Sequence, residues 1–534
     1  MVILFKRKNM AIDRTFQFGE DHLTASIALG LANGTLKGVF SDECLKNVNS
    51  SHQRVQSIVE KGDTVYGVNT GFGPLCNTKI TKEDTKILQS NILKSHSVGV
   101  GKPISTELAK TMLILKIHAL AKGYSGIAEA TLQRMLWHLE NDAIPVVPSQ
   151  GSVGASGDLA PLSHLFLPLI GLGQVEYQGK TIPTQELFDS KDLKPLELGP
   201  KEGLALINGT QFIAAHGVMV VHKLQHCLRH ADIIGAMMLE GLQGSMKPFF
   251  EELHQLRPFK GNQHVAGRIR TLLQGSEILE DHIDCERVQD PYSLRCMPQV
   301  HGASRNAWLH LKELLEIELN SVTDNPVIIN DELTISGGNF HGQPLAMALD
   351  YAALAASEIG NISDRRIYLA LEGNSPGVPK LLMNDTGINS GYMILQYTSA
   401  ALASENKSLC FPASADSIPT SLGQEDHVSM GSISGRKTLN IIENVEKILA
   451  IELLTSAQAF EYRKPLKSGI LLDEIHTFLR TKVAFAENDR VFADDIEKGI
   501  EIIQNHEIID LVDRVMDEKQ LKWNTPHLQE FETY

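Results

Sequence analysis

Three observations predict a mainly α protein, with a mixed N-terminal domain carrying an Ala-Ser-Gly loop followed by a bundle of long helices. The chain has 534 residues, more than one hydrophobic core usually organises, so at least two domains are expected. Roughly its first 210 residues are rich in glycine and broken by short loops. Beyond Asn208 the character changes to long segments in which apolar residues recur at helical spacing.

The glycine-rich loops fall at residues 67–74, 98–103, 148–161 and 171–179, with an apolar segment at 159–170. Residues 212–242 contain no proline and read as one long helix. Within 307–320, Trp308, Leu311, Leu315 and Leu319 line one stripe. Residues 345–371 and 396–409 look similar, and 438–459 place Leu439, Ile442, Val445, Ile448 and Leu449 on one side. Ser434 is a candidate cap for that last helix. Short polar stretches with Gly, Asn or Pro at 261–262, 290–291, 323–326, 373–379 and 410–423 separate the helices. Ala352, Ala353, Ala355 and Ala356 allow close helix approach, within one subunit or between several. The expected domains are therefore residues 1–210 and 211–534.

Composition narrows the function classes. Hydrophobic residues make up 43% and charged residues 21%, the balance of a folded chain rather than a disordered one. The net charge of -15, with no dense Lys/Arg cluster, argues against nucleic acid or an anionic membrane as partner. Six cysteines (Cys44, Cys76, Cys227, Cys285, Cys296, Cys410) lack CxxC spacing, so neither a zinc site nor a disulfide framework is read. The opening MVILFKRKNM puts apolar residues before basic ones, the reverse of a signal peptide. A cytoplasmic location is expected, with Met10 as an alternative start. No apolar run reaches the roughly 18 residues of a membrane span.

Chemistry is sought first in Gly151-Ser152-Val153-Gly154-Ala155-Ser156-Gly157-Asp158-Leu159. One reading is a plain turn before the apolar segment. A phosphate loop fails, because Asp158 stands where Lys followed by Ser or Thr is required and its charge repels phosphate. Backbone cyclisation is the third reading. Attack of the Gly157 nitrogen on the Ala155 carbonyl needs a sharply folded chain, which a residue without Cβ permits. The Ser156 hydroxyl can leave as water, and the product is an electrophilic methylidene-imidazolone. Ala-Ser-Gly alone occurs by chance, so the tripeptide needs support.

Support comes from further loops. Residues 64–74, TVYGVNTGFGP, hold Tyr66 against a glycine-rich turn, and Ser95-His96 precedes another. Asn208-Gly209-Thr210-Gln211 opens the first long helix. Gln289, Tyr292 and Arg295 fall within seven residues, and Gly338-Asn339-Phe340-His341 and Gln424-Glu425-Asp426-His427 follow. Each alone is more often turn, cap or ion-pair chemistry, Glu425 for instance as a helix-start carboxylate.

At these residues, from about Tyr66 to Asp489-Arg490, the sequence resembles the family of histidine, phenylalanine and tyrosine ammonia-lyases and related aminomutases. The motifs YGVNTGFG, Ala-Ser-Gly, NGTQ, QDPYSLR, GNFH and QEDHVSM stand in the family's order. Ser95-His96 at the selectivity position, and Glu425 where aromatic-specific members usually carry glutamine, point to the histidine branch. Departures at Tyr397 and residues 410–411 touch no motif residue.

The resemblance implies non-oxidative elimination of ammonia from L-histidine to trans-urocanate. A tyrosine or phenylalanine lyase or aminomutase is the alternative, and a non-enzymatic structural homologue a third reading. It implies a 4-methylidene-imidazol-5-one (MIO) made from Ala155, Ser156 and Gly157, without metal or nucleotide. Tyr66 would take the β-proton and Arg295 the substrate carboxylate. Asn208 and Gln289 would hydrogen-bond the substrate ring or amino group, Tyr292 would sit close to the methylene, and Phe340 would pack near the prosthetic ring. His96 and Glu425 would contact the imidazole. Active sites would form between subunits of a homotetramer.

Two other patterns are set aside. Gly373-Asn374-Ser375-Pro376-Gly377 matches a nucleophile elbow, but Pro376 lacks the N–H that an oxyanion hole requires. His222, His226 and His230 line one helical face at four-residue steps. With no carboxylate or cysteine at ligand spacing, a polar face is expected and no metal.

Overall fold

A computed structural model describes residues 15–62, 64–68, 70–71, 80–282 and 288–534. The chain forms two compact units. The first comprises Met1–Val218, Glu316–Gly342 and Ser417–Ser432; the second comprises Met219–Leu315, Gln343–Asp416 and Ile433–Tyr534. The first unit thus runs past residue 210 and takes back two later segments, the ones that carry GNFH and QEDH.

The first unit is mixed. Strand Thr15–Gln17 pairs in parallel with Lys37–Val39, and Val100–Pro103 runs antiparallel to Pro148–Gln150. Ile144–Pro145, Gln174–Tyr177 and Lys180–Pro183 make a three-stranded antiparallel sheet. At its core lies the helix Thr106–Ala121, started by Ser105, whose Oγ accepts the Leu108 N–H at 3.2 Å. Met112, Leu113, Ile114, Leu115 and Ile117 are all buried, so this helix is enclosed on nearly every side, and it buries Thr111, Lys116 and His118 as well. The helices Lys82–His96, Leu159–Phe166 and Glu202–Ile207 pack against one another. Each borders a predicted functional loop: His96 ends the first, Asp158 precedes the second and Asn208 follows the third.

The long helices Gln211–Gly241, Met297–Leu319, Gln343–Leu371, Met393–Leu409 and Gly431–Glu461 have most of their residues in the second unit, while residues 211–218, 316–319 and 431–432 belong to the first. They start up to ten residues earlier than their apolar stripes, as with Met297 against the predicted 307, because polar first turns carry no periodic signal. Ser434 is not the cap of the last one. It lies inside Gly431–Glu461, buried, with its carbonyl accepting from Thr438 Oγ1 at 2.7 Å. The start is set upstream by Met430, left-handed at φ 54°. Gly261 and Asn262 do not break a helix either; they lie in the first turn of Lys260–Leu272. A Cβ at Gly261 would sit 2.1 Å from the Gly302 carbonyl oxygen, so glycine there serves a close backbone contact. Ser375 is buried and donates to the Leu242 carbonyl at 2.9 Å, not poised as a nucleophile.

The second unit also buries charge. Asp232 accepts from Arg268 Nε and from His301 Nδ1, both at 2.9 Å, and from Arg305. Burial alone would raise its carboxyl, but Arg305, His301 and Arg268 hold it well below the usual range. Removing one member strands the others, so Asp232→Ala should cost about 3–5 kcal/mol of stability. The wild-type contribution is present above the unfolded carboxylate pKa of ~3.9 and is lost as pH falls through the depressed folded value. Thermal unfolding followed by circular dichroism should show the variant melting well below wild type at pH 7, with the gap closing in acid; coincident melts at pH 7 would refute the assignment.

Candidate active site

Residues 151–158 join strand Pro148–Gln150 to helix Leu159–Phe166. Their backbone turns left-handed at Gly154 (φ 80°), Ser156 (φ 51°) and Gly157 (φ 81°). Positive φ at a residue bearing a side chain, as at Ser156, is uncommon and marks a constrained turn. A Cβ on Gly157 would lie 2.1 Å from the carbonyl oxygen of Gly209, so only glycine fits. The two backbones are stitched together: Gly209 N–H donates to the Ser156 carbonyl at 3.3 Å, and Asp158 N–H to the Gly209 carbonyl at 2.7 Å.

Asp158 closes the junction. Its carboxylate accepts from the N–H groups of Phe212 (3.1 Å) and Ile213 (3.0 Å), in the first turn of Gln211–Gly241, and from Ser152 Oγ (3.1 Å). An anion belongs at a helix N-terminus. Complete burial pushes the carboxyl up to about 7, against the pull of those donors. Beside it, Lys116 donates to the Asn208 carbonyl, and burial lowers its amine to about 7 despite Asp324 and Asp158. Asn208 Oδ1 is buried and has no hydrogen-bond partner among the described residues.

Glu425 faces the loop from the segment Ser417–Ser432. One carboxylate oxygen accepts from Ser156 Oγ at 2.6 Å; the other accepts from Ser421 Oγ at 2.6 Å and Thr420 Oγ1 at 3.1 Å. It is not a helix-start carboxylate, since it lies upstream of Gly431–Glu461. His96 ends the helix Lys82–His96, with Ser95 Oγ 2.9 Å from its Nδ1. Burial lowers the His96 pKa, opposed by the Ile92 carbonyl and by the charge of Glu425.

Tyr66 is half-buried in a turn whose next residue, Gly67 (φ 71°), packs on Leu204; a Cβ there would come 2.3 Å from Leu204 Cδ2. Leu204 belongs to Glu202–Ile207, the helix that ends at Asn208. Asn69 and residues 72–74 of the same motif lie outside the described residues. Phe340 is half-buried in a turn closed by His341 N–H donating to the Gly338 carbonyl at 2.9 Å.

The first unit therefore brings Ser156, Gly157, Asn208, Glu425 and His96 into one connected neighbourhood. Gln289, Tyr292 and Arg295 make their own cluster in the second unit. Arg295 donates to Gln289 Oε1 at 3.1 Å and to the Asp290 carbonyl at 2.9 Å, and its guanidinium lies 4.5 Å over the Tyr292 ring. Tyr292 is 72% exposed. Sequence reasoning missed Lys116. Its signal was available as a lone lysine inside the apolar run from Met112 to Ala121, since a charge there must be buried and partnered.

Chemically, the first cluster offers a folded-back tripeptide whose hydroxyl sits on a carboxylate, with an imidazole within that carboxylate's field. The second offers a guanidinium suited to a carboxylate.

The family model described as aromatic amino acid lyase matches residues 23–481. A histidine ammonia-lyase of Natranaerobius thermophilus is 45% identical over 481 residues, covering 90% of this chain and 95% of its own. Another, from Sorangium cellulosum, is 47% identical over 485 residues, 89% and 94% of the two chains. Among solved structures, histidine ammonia-lyase from Trypanosoma cruzi matches with a TM-score of 0.87 at 38% identity, over 97% of each chain. Tyrosine aminomutase from Streptomyces globisporus matches at 0.88 and 33% identity, over 94% of this chain and 99% of that one.

The field of Glu425 at His96 is directly measurable. Because the carboxylate raises the His96 pKa, Glu425→Gln should lower it further below 6.5. Carbon-13 labelling of histidine Cε1 and an NMR titration would show the shift; an unmoved His96 resonance would disprove the proximity.

Proposed function

The chain belongs to the aromatic amino acid lyase family, and on that premise we propose that it eliminates ammonia from L-histidine to give trans-urocanate, with an MIO group formed from Ala155, Ser156 and Gly157. The observation that carries the substrate assignment is Glu425, positioned on Ser156 and within the field of His96.

The tripeptide fits the prosthetic group: Ser156 and Gly157 are both left-handed, and position 157 admits no side chain. When formed, the group supplies an electrophile that draws electron density from the substrate amine and makes it a better leaving group. The chain's own residues do the rest. Tyr66 accepts the β-proton at its phenolic oxygen, a task for which general bases contribute about 10²–10⁴-fold. Arg295 holds the carboxylate in its planar fork. Asn208 and Gln289 offer amides to the amino group or ring, Tyr292 flanks the reacting centre and Phe340 limits the space. Loss of the Ser156 hydroxyl frees the Glu425 oxygen that accepts from it, so that oxygen can take an imidazole N–H while His96 serves the other ring nitrogen. Phenylalanine would leave both groups unpaired, which is how a polar pocket rejects it.

The same reading assigns a homotetramer. Met347, Tyr351 and Leu354 on Gln343–Leu371 and Ile394 and Tyr397 on Met393–Leu409 are exposed in the single chain, an apolar surface suited to burial between copies. In that assembly Gln289, Tyr292 and Arg295 come from another copy. It also assigns a cytoplasmic location, where the free thiols of Cys44, Cys227, Cys296 and Cys410 stay reduced. No helix among the described residues is long and apolar enough to cross a membrane.

Ser156→Ala should abolish urocanate formation and, by intact mass, the two-water deficit together; full turnover by this variant would sink the proposal. Glu425→Gln should lower kcat/KM for histidine by about 10–100-fold, the worth of a charged hydrogen bond, in a panel run against tyrosine and phenylalanine. If tyrosine is the preferred substrate of the unaltered protein, the aminomutase or tyrosine-lyase reading replaces this one.

A further inference from the structure

Three imidazoles of the second unit converge although they come from distant parts of the chain. His222 and His226 lie one turn apart on Gln211–Gly241, while His506, left-handed at φ 59°, precedes the helix Glu507–Glu518. One ligand atom from each lies within 4.8 Å of the others. The His506 ring stacks on His226 with centroids 3.7 Å apart, and His222 stands edge-on to His226 at 4.5 Å.

His226 Nδ1 is buried and has no hydrogen-bond partner among the described residues, and such atoms in folded proteins call for a water or an ion. Neighbouring cations are already neutralised, Lys223 by Glu446 at 3.0 Å and Arg229 by Asp513 at 2.6 Å and Glu532 at 3.3 Å. His222 Nδ1 lies 2.6 Å from the Tyr534 hydroxyl, the outer contact that fixes a ligating imidazole so that its Nε2 faces the metal.

We propose that His222, His226 and His506 form a binding site for a first-row divalent cation such as zinc, with a fourth position open to water. Tetrahedral zinc at ~2.0–2.1 Å from each nitrogen sets the nitrogens about 3.3 Å apart, so the cluster closes by side-chain rotation from its present spacing. The sequence alone argued against a metal, because three helical histidines lacked a further ligand at readable spacing. His506, which completes the set, is 280 positions from His226 in the chain and is delivered only by folding. Bound metal would clamp Gln211–Gly241 to the turn between Phe492–Gln504 and Glu507–Glu518.

The test uses full-length protein purified without a polyhistidine tag, stripped with chelator and titrated with Co²⁺. Wild type should take up one Co²⁺ per chain, with visible d–d absorption lost on adding Zn²⁺, and Zn²⁺ should raise its Tm. His226→Gln and His506→Gln should each weaken Co²⁺ binding by about 100-fold or more and remove the Zn²⁺-dependent rise in Tm, with histidine turnover unchanged. Absence of saturable Co²⁺ uptake by wild type, or wild-type binding by both folded variants, would overturn the proposal. Should either variant fail to fold, X-ray absorption at the zinc edge of the wild-type protein decides: three imidazole scatterers support the site, and one or none refutes it.

Discussion

Asp158 accepts two backbone N–H groups from the start of Gln211–Gly241 while its own N–H donates to Gly209, and the geometry of the Ala-Ser-Gly turn depends on that junction. A carboxylate at a helix N-terminus meets the positive end of the helix dipole and its unsatisfied donors together. By anchoring both sides, Asp158 holds the preceding tripeptide against Gly209 in a left-handed path that an unconstrained serine would seldom adopt. The contact is close enough that glycine is required at 157, where a Cβ would come 2.1 Å from the Gly209 carbonyl oxygen, and at 209 the backbone conformation itself, φ 131°, favours glycine.

Around this junction the electrostatics are arranged by burial. Lys116, Lys201, Asp158 and Asp324 all lie inside the first unit, with Lys201 and Asp324 paired at 2.6 Å. Buried charges persist only when paired or hydrogen-bonded, and here the amine of Lys116 is placed on the Asn208 carbonyl, behind the motif that faces the loop. Glu425, by contrast, is held by three hydroxyls, neutral donors that orient a carboxylate without cancelling its charge. That leaves its field available to His96.

The second unit shows the opposite use of charge. Its Arg-rich network is fully buried at Asp232 and mostly buried at Glu532, and Glu532 belongs to the short helix Leu528–Glu532 near the end of the chain, with Phe531 buried beside it. Desolvation would raise both carboxyls, yet the surrounding guanidinium and imidazole groups hold each far below its usual value. The chain end is thereby tied to Arg268 and Arg229.

Much was legible in the sequence because the signals are local. Long proline-free apolar stripes announced the helices, and the order of short motifs announced the lyase family, since each motif is a turn with its own residue chemistry. Helix starts are less legible: polar first turns lack periodicity, so the sequence suggests a cap at Ser434 and a break at Gly261, whereas Met430 and a close approach to Gly302 decide those places. Linear order also could not say that segments 316–342 and 417–432 return to the first unit, nor that Lys116 lies under Asn208. Residue identity determined which chemistry the chain can carry, because hydroxyl, phenol, guanidinium and carboxylate are properties of single residues. Which of them meet was decided only by tertiary structure, because hydrogen bonds and fields act over a few ångströms of space, and chain separation is no measure of that distance.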